Sequence, residues 1–203
     1  MAKTDDIWAT FAAATGLPFN EVKGLGRAVR EMGLFPKFHK HDKEQHVPDM
    51  ALAHLTVAVM LQLPVAATPH GVAAMADAVV DEESRRDLAE LADDLRQLDL
   101  APLLERDHTF TEAVAQLYRI ARAQPYVFNA RFESLTSVEV ERRSLEGRIN
   151  LHTMPVFGAD RPVGEIIVYA PAVPHSGGAL EVTARLPASV ISAVARVADR
   201  MQT

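Results

Sequence analysis

Eighteen consecutive residues, MALAHLTVAVMLQLPVAA from Met50 to Ala67, contain no Asp, Glu, Lys or Arg. A run of that length either approaches a membrane span or must be wrapped by the rest of the chain. His54, Thr56, Gln62 and Pro64 interrupt it, and bilayer insertion penalises such polar groups. The expectation is therefore a buried helix, in the core or at a dimer interface, and no membrane partner. Wrapping a helix of this kind takes apolar faces elsewhere. A chain of 203 residues with 48% apolar and 24% charged residues supplies them in ordinary globular proportion. There is no cysteine, which excludes thiol catalysis and cysteine-ligated zinc. The opening MAKTDDIWATF lacks the basic start and apolar run of a secretory signal, so a cytoplasmic location is expected.

The periodicities on either side of that run differ. From Asp6 to Thr15, apolar residues recur at Ile7, Trp8, Phe11 and Ala12, one face of a helix. Gly16 stops it, and Pro18 suits the opening of a second helix. In this second helix Val22, Leu25, Val29 and Met32 share one side, and Gly33 closes it. Leu34 to Phe38 is expected as a short strand, followed by a polar loop, KFHKHDKEQH. A helix then runs from Pro48 or Asp49 to about Pro64, and another from Thr68-Pro69 through Val80. Asp81, Glu82 and Glu83 place negative charge at the start of a further helix, which runs to Leu98. Thr109 and Glu112 stand at capping-box spacing ahead of EAVAQLYRIARA.

Beyond Pro125 the runs FNARFESL, SVEVERRS, GRINLHTM, GEIIVYAP and ALEVTARL alternate like strands. GADRPVG suits a hairpin between the third and fourth of them. A last helix, Ala188 to Met201, carries Val190, Ile191, Val194 and Val197 on one stripe. The fold class expected is α+β, with an N-terminal pair of short helices, a helical middle and a C-terminal antiparallel sheet ending in a helix. The corresponding division is 1–47, 48–124 and 125–203.

A helix-turn-helix needs a small residue where two helices touch, a turn residue tolerant of positive φ, and apolar anchors on the inner face of the second helix. Ala12, Gly16, and Val22 with Leu25 meet these needs in turn. The string FAAATGLPFNEVKGLGRAVREMGLF resembles the helix-turn-helix family, and its Gly-Leu ending is similar to winged-helix members. It covers about a sixth of the chain, judged over the length such motifs occupy. With those anchors inward, the outer face carries Phe19, Asn20, Lys23, Gly24, Arg27 and Arg30. Arg and Lys suit guanine edges and phosphates, and Asn suits adenine. Gly24 would admit the DNA backbone, and free amides at the helix start would suit a phosphate. Lys37, His39 and Lys40, with His41 and Lys43, would add backbone contacts from a wing.

Net charge is −6, yet from Leu17 to His46 six Lys or Arg and three His stand against four Asp or Glu. That local balance permits a phosphate partner. The resemblance implies a sequence-specific, repressor-like transcriptional regulator on the plan of phage and plasmid regulators. It would bind double-stranded DNA as a homodimer, paired through the long apolar helix or the C-terminal segment. Two other classes compete: a DNA-packaging or replication-initiation component, and a protein that docks onto or inhibits another protein.

Enzyme chemistry is not expected. His152, Asp160, His175 and Ser176 have no nucleophile elbow around them. GLGRAV matches neither nucleotide-binding fingerprint. His39, His41 and His46 are close in sequence but have no cysteine among them, so neither a metal nor any other cofactor is expected. Arg131, Arg142, Arg143 and Arg148 are read as a solvated sheet face rather than a second basic surface.

Overall fold

A computed structural model describes residues 4–38, 46–97, 99–104, 108–132, 136–152, 164–171 and 183–201. The chain is α+β. Its helices are α1 (Thr4–Thr15), α2 (Phe19–Glu31), α3 (Asp49–Leu61), α4 (Thr68–Ala76), α5 (Glu82–Glu90), α6 (Ala92–Gln97), α7 (Phe110–Ala123), α8 (Pro125–Phe132) and α9 (Ala188–Asp199). Its strands are β1 (Val79–Val80), β2 (Ser137–Glu141), β3 (Glu146–His152), β4 (Gly164–Ala170) and β5 (Thr183–Pro187), in the sheet order β1-β4-β3-β2-β5. Every pairing in that sheet is antiparallel.

The apolar run forms α3, in which every residue from Ala51 to Leu61 is buried. It packs on α7, α2 and α4 and on the inner face of β2 and β5. A helix apolar on all sides has to be enclosed on all sides. Each large side chain so buried contributes about 1.5–3 kcal/mol. The enclosure uses the chain's own elements, so of the two places expected for this helix, the core or a dimer interface, α3 takes the core. Of its two buried polar side chains, His54 leaves Nδ1 without a hydrogen-bond partner among the described residues, whereas Thr56 is engaged. Thr56 donates to the Leu52 carbonyl at 2.9 Å and shares a 2.8 Å hydrogen bond with the Tyr118 hydroxyl. Among the described residues no helix is long and apolar enough to cross a membrane.

The sheet alternates as its sequence does. Leu186, Val138, Ile149 and Ile167 form one register row and are all buried, while Arg185, Glu139, Arg148 and Val168 form the neighbouring row on the opposite face. The turn from β2 to β3 places Leu145 at a left-handed φ of 56°. The Glu141 carboxylate closes that turn by accepting from the Arg143 and Ser144 amides and the Ser144 hydroxyl. Strands β3 and β4 pair from Gly147↔Tyr169 to His152↔Gly164; the connection between them, expected as a hairpin at GADRPVG, falls on 153–163, outside the described residues.

Several elements differ from expectation. FNARFESL is not a strand, since its first residues complete α8. Pro125 opens that helix, and Phe128 and Phe132, four apart, meet at 5.2 Å between ring centroids, which is a helical spacing. Leu34 to Phe38 is irregular. Pro36 lacks the amide a ladder requires, and Phe35 is instead buried against Trp8 at 5.2 Å. The helix expected through Val80 stops at Ala76, and Val79–Val80 pairs with β4 at the sheet edge. The run from Asp81 breaks at Leu91 into α5 and α6. Two other expectations hold in detail: Asp81 caps α5 by accepting from the Ser84 amide at 2.7 Å, and the Thr109–Glu112 capping box is complete.

One hydrophobic cluster runs from Ile7 to Met201. It crosses the boundaries expected after residues 47 and 124. Helix α1 lies against both α2 and α9, and α9 against α7 and α8. Arg122, on α7, fastens three parts of this body together. Its guanidinium donates to Asp199 at 2.7 Å, to the Val47 carbonyl at 2.8 Å and to Asp49 at 2.6 Å.

Candidate nucleic-acid interface

The turn between α1 and α2 is built around one backbone requirement. Gly16 has φ of +73°, a conformation costly for a residue with a Cβ. Its amide donates to the Ala12 carbonyl at 2.9 Å. Thr15 donates to Phe11 at 2.7 Å and accepts from the Leu17 amide at 3.4 Å, which ties the turn to the end of α1. Pro18 then precedes α2, and its carbonyl receives the Glu21 and Val22 amides. No side chain caps the start of α2.

Val22, Leu25, Ala28 and Val29 are buried beneath α2, as is Gly26. Trp8 packs closely against Gly26 between the two helices, while Ala12, expected at the close contact, is half-buried and packed against the core. A Cβ on Gly26 would sit 2.7 Å from two carbons of the Trp8 ring. The glycine that weakens α2 as a helix therefore makes room for an indole in α1. Sequence reasoning missed this pairing; the available signal was the lone tryptophan of α1 followed by a glycine among the anchors of α2.

The outward residues do not share one setting. Phe19, Asn20, Arg27 and Lys37 are exposed. Lys23 is half-exposed and engaged, forming a 3.2 Å ion pair with Asp5 and lying 5.4 Å from the centroid of the Phe19 ring. Arg30 folds back, its guanidinium carbon 6.0 Å from the Trp8 ring and its buried Nε without a hydrogen-bond partner among the described residues. Gly24 is half-buried, and the space beside it is bounded by the Val65 side chain, 3.5 Å from where a Cβ would stand. His39 and Lys40, with His41 and Lys43, lie outside the described residues. The strand of the expected wing does not form, and Phe35 and Phe38 anchor that segment to Trp8 in an aromatic cluster.

The outer side of α2 carries a stripe of Asn20, Lys23 and Arg27 at steps of three and four, beside exposed Phe19, Glu21 and Glu31, and of the three Lys23 is already held by Asp5. Over residues 4–38 its setting is electrically balanced: Lys23, Arg27, Arg30 and Lys37 face Asp5, Asp6, Glu21 and Glu31 in number. The stripe offers amide and cationic donors on a rigid support. It holds no pair of titratable groups arranged for acid–base work.

Other sequence-level constellations do not converge. Arg131 is buried in α8, Arg142 donates to the Met60 carbonyl at 2.9 Å, and Arg148 pairs with Glu146 at 2.6 Å on the outer sheet face. Of the hydrolase-like set only His152 lies among the described residues. No group of three His, Asp or Glu side chains among the described residues is placed to hold a metal. One polar row went unnoticed in the sequence: Glu112, Gln116 and Arg119 line a cleft beside α7. Their steps of four and three were hidden in a helix read only for its cap and its apolar face. No protein-family model, curated protein or solved structure matches this chain.

Proposed function

We propose that the protein binds double-stranded DNA through the outer side of α2 and acts inside the cell as a sequence-specific, repressor-like regulator, working as a homodimer. The observation that carries this reading is the division of labour on α2. Val22, Leu25, Gly26 and Val29 are taken up by packing, which leaves Asn20, Lys23 and Arg27 on the outer side. A helix so anchored holds base-reading side chains in a fixed relation to one another. Arginine and lysine suit guanine O6 and N7, asparagine suits adenine, and all three can also hold phosphate. The uncapped start of α2 adds amides suited to a phosphate oxygen. With α3 enclosed by the chain itself, pairing falls to the surface of residues 125–203.

The balanced charge around α2 favours a second reading, in which the same stripe docks onto another protein. Selection from a random duplex pool with the full chain separates the two. DNA binding by a dimer enriches an inverted repeat with half-sites about 10–10.5 base pairs apart, or a multiple of that. A pool that stays unenriched even at low salt, where phosphate contacts are strongest, overturns the DNA reading and favours the second.

A further inference from the structure

We infer that the cleft beside α7 is a binding site for a free apolar α-amino acid, a function separate from anything α2 does. The cleft has a volume of about 250 Å³ and lies between Met50 at the start of α3, Pro102 and Leu103 in the 3₁₀ turn Ala101–Leu104, and α7. At about 30 Å³ per water, that is room for roughly eight waters, the size of a small metabolite rather than a nucleotide.

Its polar groups are specific. Gln116 is only 6% exposed yet lines the cleft. Its Nε2 donates to the Asp99 carbonyl at 2.5 Å, and the Asp99 carboxylate is in turn held by Gln124 at 2.9 Å. A carbonyl partner must receive the amide nitrogen, which fixes the orientation of the group. Gln116 Oε1 is thereby left as an acceptor with no hydrogen bond among the described residues. That oxygen is not one of the sealed, unpartnered polar atoms of the protein; it is open to the cleft, where a bound donor can reach it.

Two charges flank it. Glu112 uses one carboxylate oxygen, Oε2, on the Thr109 amide at 2.7 Å. Arg119 is 65% exposed, and its 4.0 Å approach to Asp49 competes with Arg122, which holds the other oxygen of that carboxylate at 2.6 Å. Positions 112, 116 and 119 follow one another along one helix face, about 6 Å and 4.5 Å apart along the axis. The back of the cleft is stiff, because the His108 imidazole is held by the Tyr169 hydroxyl at 2.9 Å. Two acceptors followed by a guanidinium complement a zwitterion. An ammonium would donate to Gln116 Oε1 and the Glu112 carboxylate while its carboxylate meets Arg119. The apolar wall of Met50, Pro102, Leu103 and Ala113 would take an aliphatic side chain, in keeping with sites that are mostly apolar with a few placed polar groups.

Calorimetric titration of the full chain with L-leucine, L-leucinamide and 4-methylpentanoate tests this. Leucine is expected to bind, and each analogue, lacking one charge, to bind at least about tenfold more weakly. Gln116→Leu should abolish binding. Arg119→Gln, at an exposed position, should weaken it about tenfold with an unchanged melting temperature. Absence of binding at about 10 mM leucine, equal binding of 4-methylpentanoate, or full affinity in Arg119→Gln would overturn the assignment.

Discussion

Helices α2 and α3 have the same length, thirteen residues, and follow one another in the chain, yet one displays a face and the other displays almost nothing. In α3 apolar residues occupy every side, so the rest of the protein closes around it. In α2 the apolar residues fall on one stripe and the charged residues on the other, and burial stops halfway. The difference separates two uses of a helix. The first organises the core and tolerates few substitutions; the second is held by that core and is free to vary on its outer side. A functional assignment belongs to the second kind, since only there can side chains be exchanged without disturbing the fold.

The comparison is broken most severely from the α3 side. Leu55→Ala removes a fully buried side chain and is expected to cost about 2–5 kcal/mol in urea unfolding; a loss below 1 kcal/mol would mean that α3 is not enclosed as described. The two glycines of α2 sharpen it further. Gly26→Ala drives a Cβ into the Trp8 ring and should destabilise by about 1–3 kcal/mol. Gly24→Ala meets only an ordinary contact with Val65 and should stabilise by about 0.5–1 kcal/mol through helix propensity. Equal effects of the two substitutions would contradict the packing of α1 on α2.

His54 gives the comparison a pH dependence. Burial holds its pKa below the ordinary histidine value, with a smaller opposite pull from the Met50 backbone. Above about pH 6.5, the value of the unfolded chain, both states are neutral and its contribution is complete. As pH falls below that value the unfolded chain takes up the proton first, so stability declines until the lower folded-state pKa is passed. The urea midpoint of the wild type should therefore drop between pH 7.5 and pH 5.5 by more than that of His54→Leu; parallel drops would count against a buried neutral imidazole. The smallest effect belongs to the exposed side of α2. Asp5→Asn removes the partner of Lys23 at a cost of about 0–1 kcal/mol, and it should tighten duplex binding modestly if Lys23 meets DNA. Unchanged or weaker affinity would remove Lys23 from the interface.

The sequence made plain those features that depend on local chemistry. The uninterrupted apolar run announced α3, Thr109 with Glu112 announced the start of α7, and the alternation of SVEVE and GEIIVYA announced two strands of the sheet. Features set by distant partners stayed hidden. Val79–Val80 becomes a strand because β4 offers it an edge. Phe35 leaves an extended run because Trp8 offers it a ring. In the candidate interface, the anchors and the Gly16 turn could be read from spacing. The withdrawal of Arg30 onto Trp8 and of Lys23 onto Asp5 could not, since each partner lies on the neighbouring helix.

Fluorescence anisotropy of a labelled duplex, titrated with wild type and Arg27→Ala over a range of salt, tests the role of α2 most directly. Expected are a wild-type affinity that falls linearly with salt on logarithmic axes and a loss in Arg27→Ala of about tenfold or more with an unchanged melting temperature. Equal affinities of the two proteins, or an affinity indifferent to salt, would contradict it.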